Sequence, residues 1–234
     1  MGRVNSPYEG STNRITRNQG YAANAHKEAE GKVVFLSLME HLGLDITEIT
    51  DMTTQINLGD YRDDKNRYHE CKSQNIGAYA KNFVEVGEYL PSTSDKHRGG
   101  HTLTSEWLRS HGIDLYDCNI RQRYDSKATQ KFGNPEFYNP GITPAIRGAC
   151  VWYINRTSTL IYLYRPETFQ RLVIDEIKND RLFWGATSTS RANETTICVF
   201  IQNSPAAWQK VKGKWRFLGS QELEEEVLDY LKGN

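Results

Sequence analysis

Asp60, Glu70 and Lys72 are the residues whose types and spacing could do chemistry. They lie in INLGDYRDDKNRYHECKSQ, residues 56–74, which reads as a β-hairpin. A first strand carries Ile56, Leu58 and Asp60 at alternate positions, and a second carries Tyr68, Glu70 and Lys72. Asp63-Asp64-Lys65-Asn66 is the polar turn between them. Alternation sends the three charged groups to one side, with Asp60 opposite or diagonal to Glu70 at about 5–8 Å. Two carboxylates so close repel unless something positive lies between them. Magnesium, with manganese as a substitute, takes a few carboxylate oxygens, keeps water in its other positions and binds phosphate there. Such an ion polarises a phosphoryl oxygen, lowers the pKa of bound water and stabilises the leaving oxygen. Lys72 shares the facing of Glu70 and can hold the attacking water or the charge developing on phosphorus oxygens. Cys71, of opposite parity, points into the core, and its main-chain carbonyl can complete the coordination. A surface hairpin with cross-strand ion pairs of little energetic value is the competing reading. Ile56 and Leu58 weigh against it, because their shared parity with Asp60 continues the charged face from buried residues.

The elements that must position this hairpin follow from periodicity. Residues 22–42 carry the strongest helical signal, with Val34, Leu38 and Leu42 at four-residue spacing, Phe35 and Met39 beside them, and Gly43 as C-cap. One turn back along that stripe is Glu30, a carboxylate on the buried face that needs a partner, which the metal could supply. An exposed first-turn glutamate favouring the helix dipole is the alternative, and Glu28 takes the role if the helix is rotated. After the hairpin, 76–89 reads as a helix from the spacing of Ile76, Tyr79, Ala80 and Phe83, and 104–111 as a short one. ACVWYI and TLIYLY form a second hairpin, RPETFQRLVIDEIKN a helix with Pro166 in its first turn, and RLFWGATS with TTICVFIQ a further strand pair. QELEEEVLDYLKG closes the chain as an amphipathic helix bearing Leu223, Val227 and Leu231, and Trp208 and Trp215 read as core or lid residues.

The 234 residues suffice for one compact unit with a large insertion. We divide it into an arm (1–20), a core motif region (21–90), an irregular insertion (91–147) and the remaining strands and C-terminal helix (148–234). No apolar run is long enough to span a bilayer and the N-terminus has no signal-peptide core, so the expected location is cytoplasmic. Cys71, Cys118, Cys150 and Cys198 are scattered and read as reduced structural cysteines. His97 and His101, without nearby cysteines, read as a polar loop rather than a zinc site. The net charge is zero, but the first 27 residues are basic and the last fifteen acidic. Arg14 and Arg17 are candidates for phosphate contact. So are Arg121, Arg123, Lys127 and Lys131 in the insertion, which interleave with Tyr124, Phe132, Phe137 and Tyr138 in a composition suited to phosphates and bases.

Gly59-Asp60 followed by Glu70-Cys71-Lys72, with a helix bearing an inward glutamate ahead of them, resembles the PD-(D/E)XK nuclease superfamily, the restriction-endonuclease-like fold. The resemblance covers about residues 22–83 and departs from the family name at Gly59, where the proline would stand. It implies an α/β core with a mixed central sheet flanked by helices, which agrees with the order of elements, and an inserted substrate-recognition region. It also implies that Asp60 and Glu70 ligate magnesium, that Lys72 serves catalysis, that Glu30 joins the site, and that Gln74 lies near it. The expected function is a magnesium-dependent endodeoxyribonuclease, a homodimer cutting double-stranded DNA at a specific sequence. A structure-selective repair or phage nuclease or Holliday junction resolvase is the alternative, and a non-catalytic subunit of a defence complex a second. The size and neutral charge favour the first, because a resolvase relies more heavily on phosphate contacts.

Overall fold

A computed structural model describes residues 29–74, 81–89, 100–114, 117–122, 137–138, 142–185 and 196–233. The first described element is helix α1, helical over 29–42, which buries Phe35, Leu38, Met39 and Leu42 and turns off at Gly43, with φ +69°. After it come β1 (Ile46–Glu48), α2 (Met52–Leu58), β2 (Tyr61–Asp63), β3 (Tyr68–Gln74) and β4 (Lys81–Tyr89). Then follow α3 (Gly100–Ser110), the two-residue strands β5 (Arg121–Gln122) and β6 (Phe137–Tyr138), and the short helix α4 (Thr143–Ile146). The last part holds β7 (Cys150–Asn155), β8 (Leu160–Tyr164), α5 (Pro166–Lys178), β9 (Phe183–Gly185) and β10 (Thr196–Gln202). The hairpin β11 (Ala207–Val211) and β12 (Lys214–Phe217) leads into α6 (Gln221–Lys232).

The architecture is mixed α/β. A central seven-stranded sheet runs β1-β2-β3-β7-β8-β11-β12. β1, β2 and β3 form an antiparallel meander, β7 lies parallel to β3, and the remaining neighbours are antiparallel, so the sheet is mixed. A second sheet of five strands runs β5-β9-β10-β4-β6. β7 explains how the layers join. Its alternate residues Val151 and Tyr153 enter a core with Val84 and Val86 of β4, Ile197, Val199 and Ile201 of β10, and Phe169, Val173 and Ile177 of α5. Cys150, Trp152 and Ile154 enter a second core with Phe35, Leu38 and Met39 of α1 and Val227 and Leu231 of α6. A strand covered on both faces must be apolar at every position, which is why CVWYI shows no alternation.

The hairpin of 150–164, the helix at Pro166, the β9–β10 pair and the C-terminal helix stand as the sequence predicts, with Trp208 and Trp215 buried. Two expectations are corrected. Residues 56–58 belong to α2 and not to a strand, so the shared parity of Ile56, Leu58 and Asp60 does not exist; Ile56 and Leu58 are half-buried on a helix. The described part of 76–89 is strand β4, not helix: Asn82, Val84 and Val86 alternate into the core, a period of two that the aromatic spacing obscures. The N-terminal arm, with Arg14 and Arg17, and the start of the first helix, with Glu28, lie outside the described residues, as does His97. No helix among the described residues is long and apolar enough to cross a membrane.

Candidate active site

The turn that presents Asp60 begins with a capped helix. The Asp51 carboxylate accepts from the Thr54 N–H at 2.7 Å and from its hydroxyl at 2.6 Å, which starts α2. Gly59 stops it with φ +120°, and a Cβ there would lie 2.8 Å from the His69 carbonyl oxygen. Neither a proline, fixed near φ −65°, nor any other side chain fits that turn. The glycine at this position is therefore explained by the turn itself. Asp60 emerges at the mouth of β2, donating its N–H to the His69 carbonyl at 2.8 Å. Tyr61 pairs with His69, so Asp60 stands level with Glu70.

The three predicted residues come together. The Asp60 Oδ2 accepts from the Cys71 N–H at 2.8 Å, and Lys72 Nζ donates to Glu70 Oε1 on the same face of β3. Burial pushes the Glu70 carboxyl up to about 7, with the Lys72 charge opposing and the Asp60 charge adding to the rise. Burial also raises Asp60, against the Cys71 N–H and Lys72. Burial alone would discharge Lys72, but Glu70, Asp60 and Glu85 hold its ammonium above the ordinary lysine range. The site is a buried pair of like charges stabilised by one cation. No family model, curated protein or solved structure matches this chain. What the site can do rests on its own geometry and chemistry.

The donor set fits a hard divalent ion that needs few protein ligands. Among the described residues no hydrogen bond reaches the Asp60 Oδ1, and no group of three or more His, Cys, Asp or Glu side chains is placed to hold a metal. Two carboxylates and a carbonyl suit magnesium, which keeps water and accepts phosphate oxygens, and do not suit zinc. The carbonyl is that of Cys71: since its N–H points to Asp60, its C=O leaves the strand on the same edge. The Cys71 side chain packs against the α1 core.

Glu30 is not brought to this group. It is about half exposed, at 51%, and accepts from Arg156 Nη1 at 3.2 Å. α1 covers the opposite sheet face, because a Cβ at Gly31 would strike the Ser73 Oγ at 2.6 Å, and Ser73 alternates with Lys72. The buried line of α1 runs through Gly31, Phe35, Leu38, Met39 and Leu42, and Glu30 falls beside it on the exposed side. Gln74 ends β3 opposite Asn155, and Arg121 lies in β5, paired with Phe183 of the second sheet; their side chains are outside the described residues, as are Arg123, Lys127 and Lys131.

Two neighbours went unnoticed in the sequence. Tyr153 is level with Lys72 on β7 and donates its hydroxyl to the Phe83 carbonyl at 3.0 Å, tying β4 to β7, the parallel neighbour of β3. That brings Glu85 of β4 near enough for its charge to act on Lys72. A bulge lies beside it: Ile197 opposes Gly87 while Cys198 opposes Glu85. The signal for Glu85 was the alternation of β4, missed with the strand itself.

Proposed function

We propose that this chain is a magnesium-dependent endodeoxyribonuclease of the restriction-endonuclease-like kind, acting as a homodimer on a specific sequence in double-stranded DNA inside the cell. One observation carries the reading: Asp60 stands level with Glu70 on adjoining strand ends, and Lys72 shares the Glu70 face. The free thiols of Cys71, Cys118, Cys150 and Cys198 agree with a reducing compartment.

Asp60, Glu70 and the Cys71 carbonyl would hold magnesium, which supplies a polarised phosphoryl oxygen and an acidified water. Asp60 is oriented for that work by the Cys71 N–H. Glu70 would serve as a ligand in its ionised form. Lys72, whose charge Glu70, Asp60 and Glu85 all favour, would steady the attacking water or a non-bridging oxygen with its ammonium. A limit digest of plasmid DNA with magnesium tests the reading. Discrete fragments support sequence-specific cutting, whereas cleavage confined to branched or single-stranded substrates would replace it with a structure-selective nuclease.

A further inference from the structure

The hairpin β11–β12 is a one-sided stretch of positive charge, and it precedes an equally one-sided acidic stretch in α6. Between Asn203 and Ser220 stand Lys210, Lys212, Lys214 and Arg216 and no Asp or Glu, in a chain whose net charge is zero. Lys212, Lys214 and Arg216 are exposed, and none is paired with a carboxylate among the described residues. Val211 pairs with Lys214, leaving Lys212-Gly213 as a two-residue turn with φ +49° and +79°. Asn, Asp or Gly fill the first of these positions most readily. A lysine there accepts local strain to place a cation at the tip.

This tip does not stand alone. Lys210 N–H donates to the Thr159 carbonyl at 3.0 Å, and the Thr159 hydroxyl donates to the Lys210 carbonyl at 3.0 Å, which sets the β7–β8 turn beside it. That turn carries Arg156, whose guanidinium is already paired with Glu30 of α1 at 3.2 Å, so the exposed cations of this end are those of the β11–β12 hairpin. Lys210 is held by the Ser37 hydroxyl at 2.7 Å and lies 5.5 Å from the Trp215 ring. The ladder relates this end to the site. Lys72, Tyr153, Tyr162 and Ala207 are level across four strands, so Lys210 lies three residues, about 10 Å, beyond the level of Lys72. From β3 to β12 the same sheet end spans about 19 Å, close to six base-pair steps of duplex.

We propose that the β11–β12 hairpin, braced by the β7–β8 turn, forms a cationic end of the central sheet that holds the phosphate backbone of duplex DNA leading to the site on β3. The proposal rests on the nuclease reading for its direction, but its evidence is separate. Lysines on an edge strand also deter edge-to-edge pairing, so the test must move DNA binding apart from solubility and fold.

The experiment measures fluorescence anisotropy of a labelled 20-bp duplex with the full chain, calcium replacing magnesium, across a salt series. It compares wild type, the triple variant Lys212→Gln/Lys214→Gln/Arg216→Gln, and the control Arg109→Gln/Arg171→Gln/Lys178→Gln. The triple variant is expected to bind about tenfold or more weakly at 100 mM salt, with a log–log salt slope shallower by about 2 to 3. Its melting temperature should match that of wild type and the control should bind normally. Equal binding by variant and control overturns the proposal, as does wild type that ignores duplex DNA but sediments with phosphatidylserine vesicles. Wild type that binds and never cuts, with a weakened triple variant, sinks the nuclease reading alone. Cutting by a triple variant that binds as wild type does sinks only the cationic end.

Discussion

Glu70 is the side chain whose protonation reports most on the site. Burial raises it from an ordinary 4.5 to about 7, against the opposing Lys72 charge, so the metal-free fold takes up this proton at higher pH than the unfolded chain does. The stability this contributes is fully present below 4.5 and is lost as pH rises through about 7. Without divalent metal, the melting temperature of wild type should therefore fall, relative to Glu70→Gln, between about pH 5 and pH 8. If Glu70 ligates magnesium as proposed, the ion competes with the proton, so the rise in melting temperature on adding it should be larger at pH 8 than at pH 6, and absent in Glu70→Gln. Parallel pH profiles for the two proteins would show that Glu70 does not titrate in this range. Gly59 is the second decisive residue. Gly59→Ala sets a Cβ against the His69 carbonyl in a left-handed turn and should cost about 1–3 kcal/mol in denaturant unfolding. An unchanged midpoint would mean that the turn presenting Asp60 is not constrained as described.

The β2–β3 hairpin is fixed to the rest of the fold by a buried network. Asp63 ends β2, accepting from the Lys65 and Arg67 N–H groups at 3.0 and 2.8 Å and from Arg67 Nε at 2.7 Å. The Arg67 guanidinium also donates to the Tyr230 and Leu231 carbonyls, binding the C-terminal turn of α6 to the hairpin. The Trp152 indole donates to His69 Nδ1 at 3.1 Å, which leaves His69 Nε2 as the donor facing Asp63 at 3.4 Å. Burial alone would raise Asp63, but His69 and Arg67 hold it well below the usual carboxylate range. Its contribution is thus present above that range and lost as pH falls through and below it. Arg67→Ala leaves the Asp63 charge buried and should cost about 3 kcal/mol at neutral pH, with the difference shrinking in acid. A loss below 1 kcal/mol would mean that the clamp is dispensable. This network also shows what was legible. The polar residues 63–66 announced a turn, and Tyr68, Glu70 and Lys72 announced the strand that bears the candidate site. Residues 56–58 misled because a seven-residue helix with few buried contacts leaves too little pattern to tell from a strand; its signals were the cap at Asp51 and the stop at Gly59. β11 and β12 went unseen because Trp208 and Trp215 were weighed singly, although Val211-Lys212-Gly213-Lys214 has the form of a hairpin turn.

Across the molecule, the mixed sheet separates two tasks. Its α1 and α6 face is closed by an apolar core, and the opposite face, toward the second sheet, carries Glu70, Lys72 and Tyr153. Pairing of distant segments made this invisible in the sequence: β3 meets β7 only after about 75 residues, and Glu85 comes near Lys72 because β4 packs on β7 and accepts the Tyr153 hydrogen bond. Glu30 was misplaced for the same reason, since which face α1 covers depends on contacts with Ser73 and Arg156. The most direct measurement is magnesium-dependent cleavage of plasmid DNA by wild type, Asp60→Asn, Glu70→Gln and Lys72→Gln, each shown to be folded by its melting curve. Wild type should cut, the two carboxylate variants should fall to background, and Lys72→Gln should lose about 10²–10³ in rate while keeping its magnesium-induced stabilisation. Carboxylate variants that cut as fast as wild type, or a folded wild type that cuts no nucleic acid with magnesium or manganese, would contradict it.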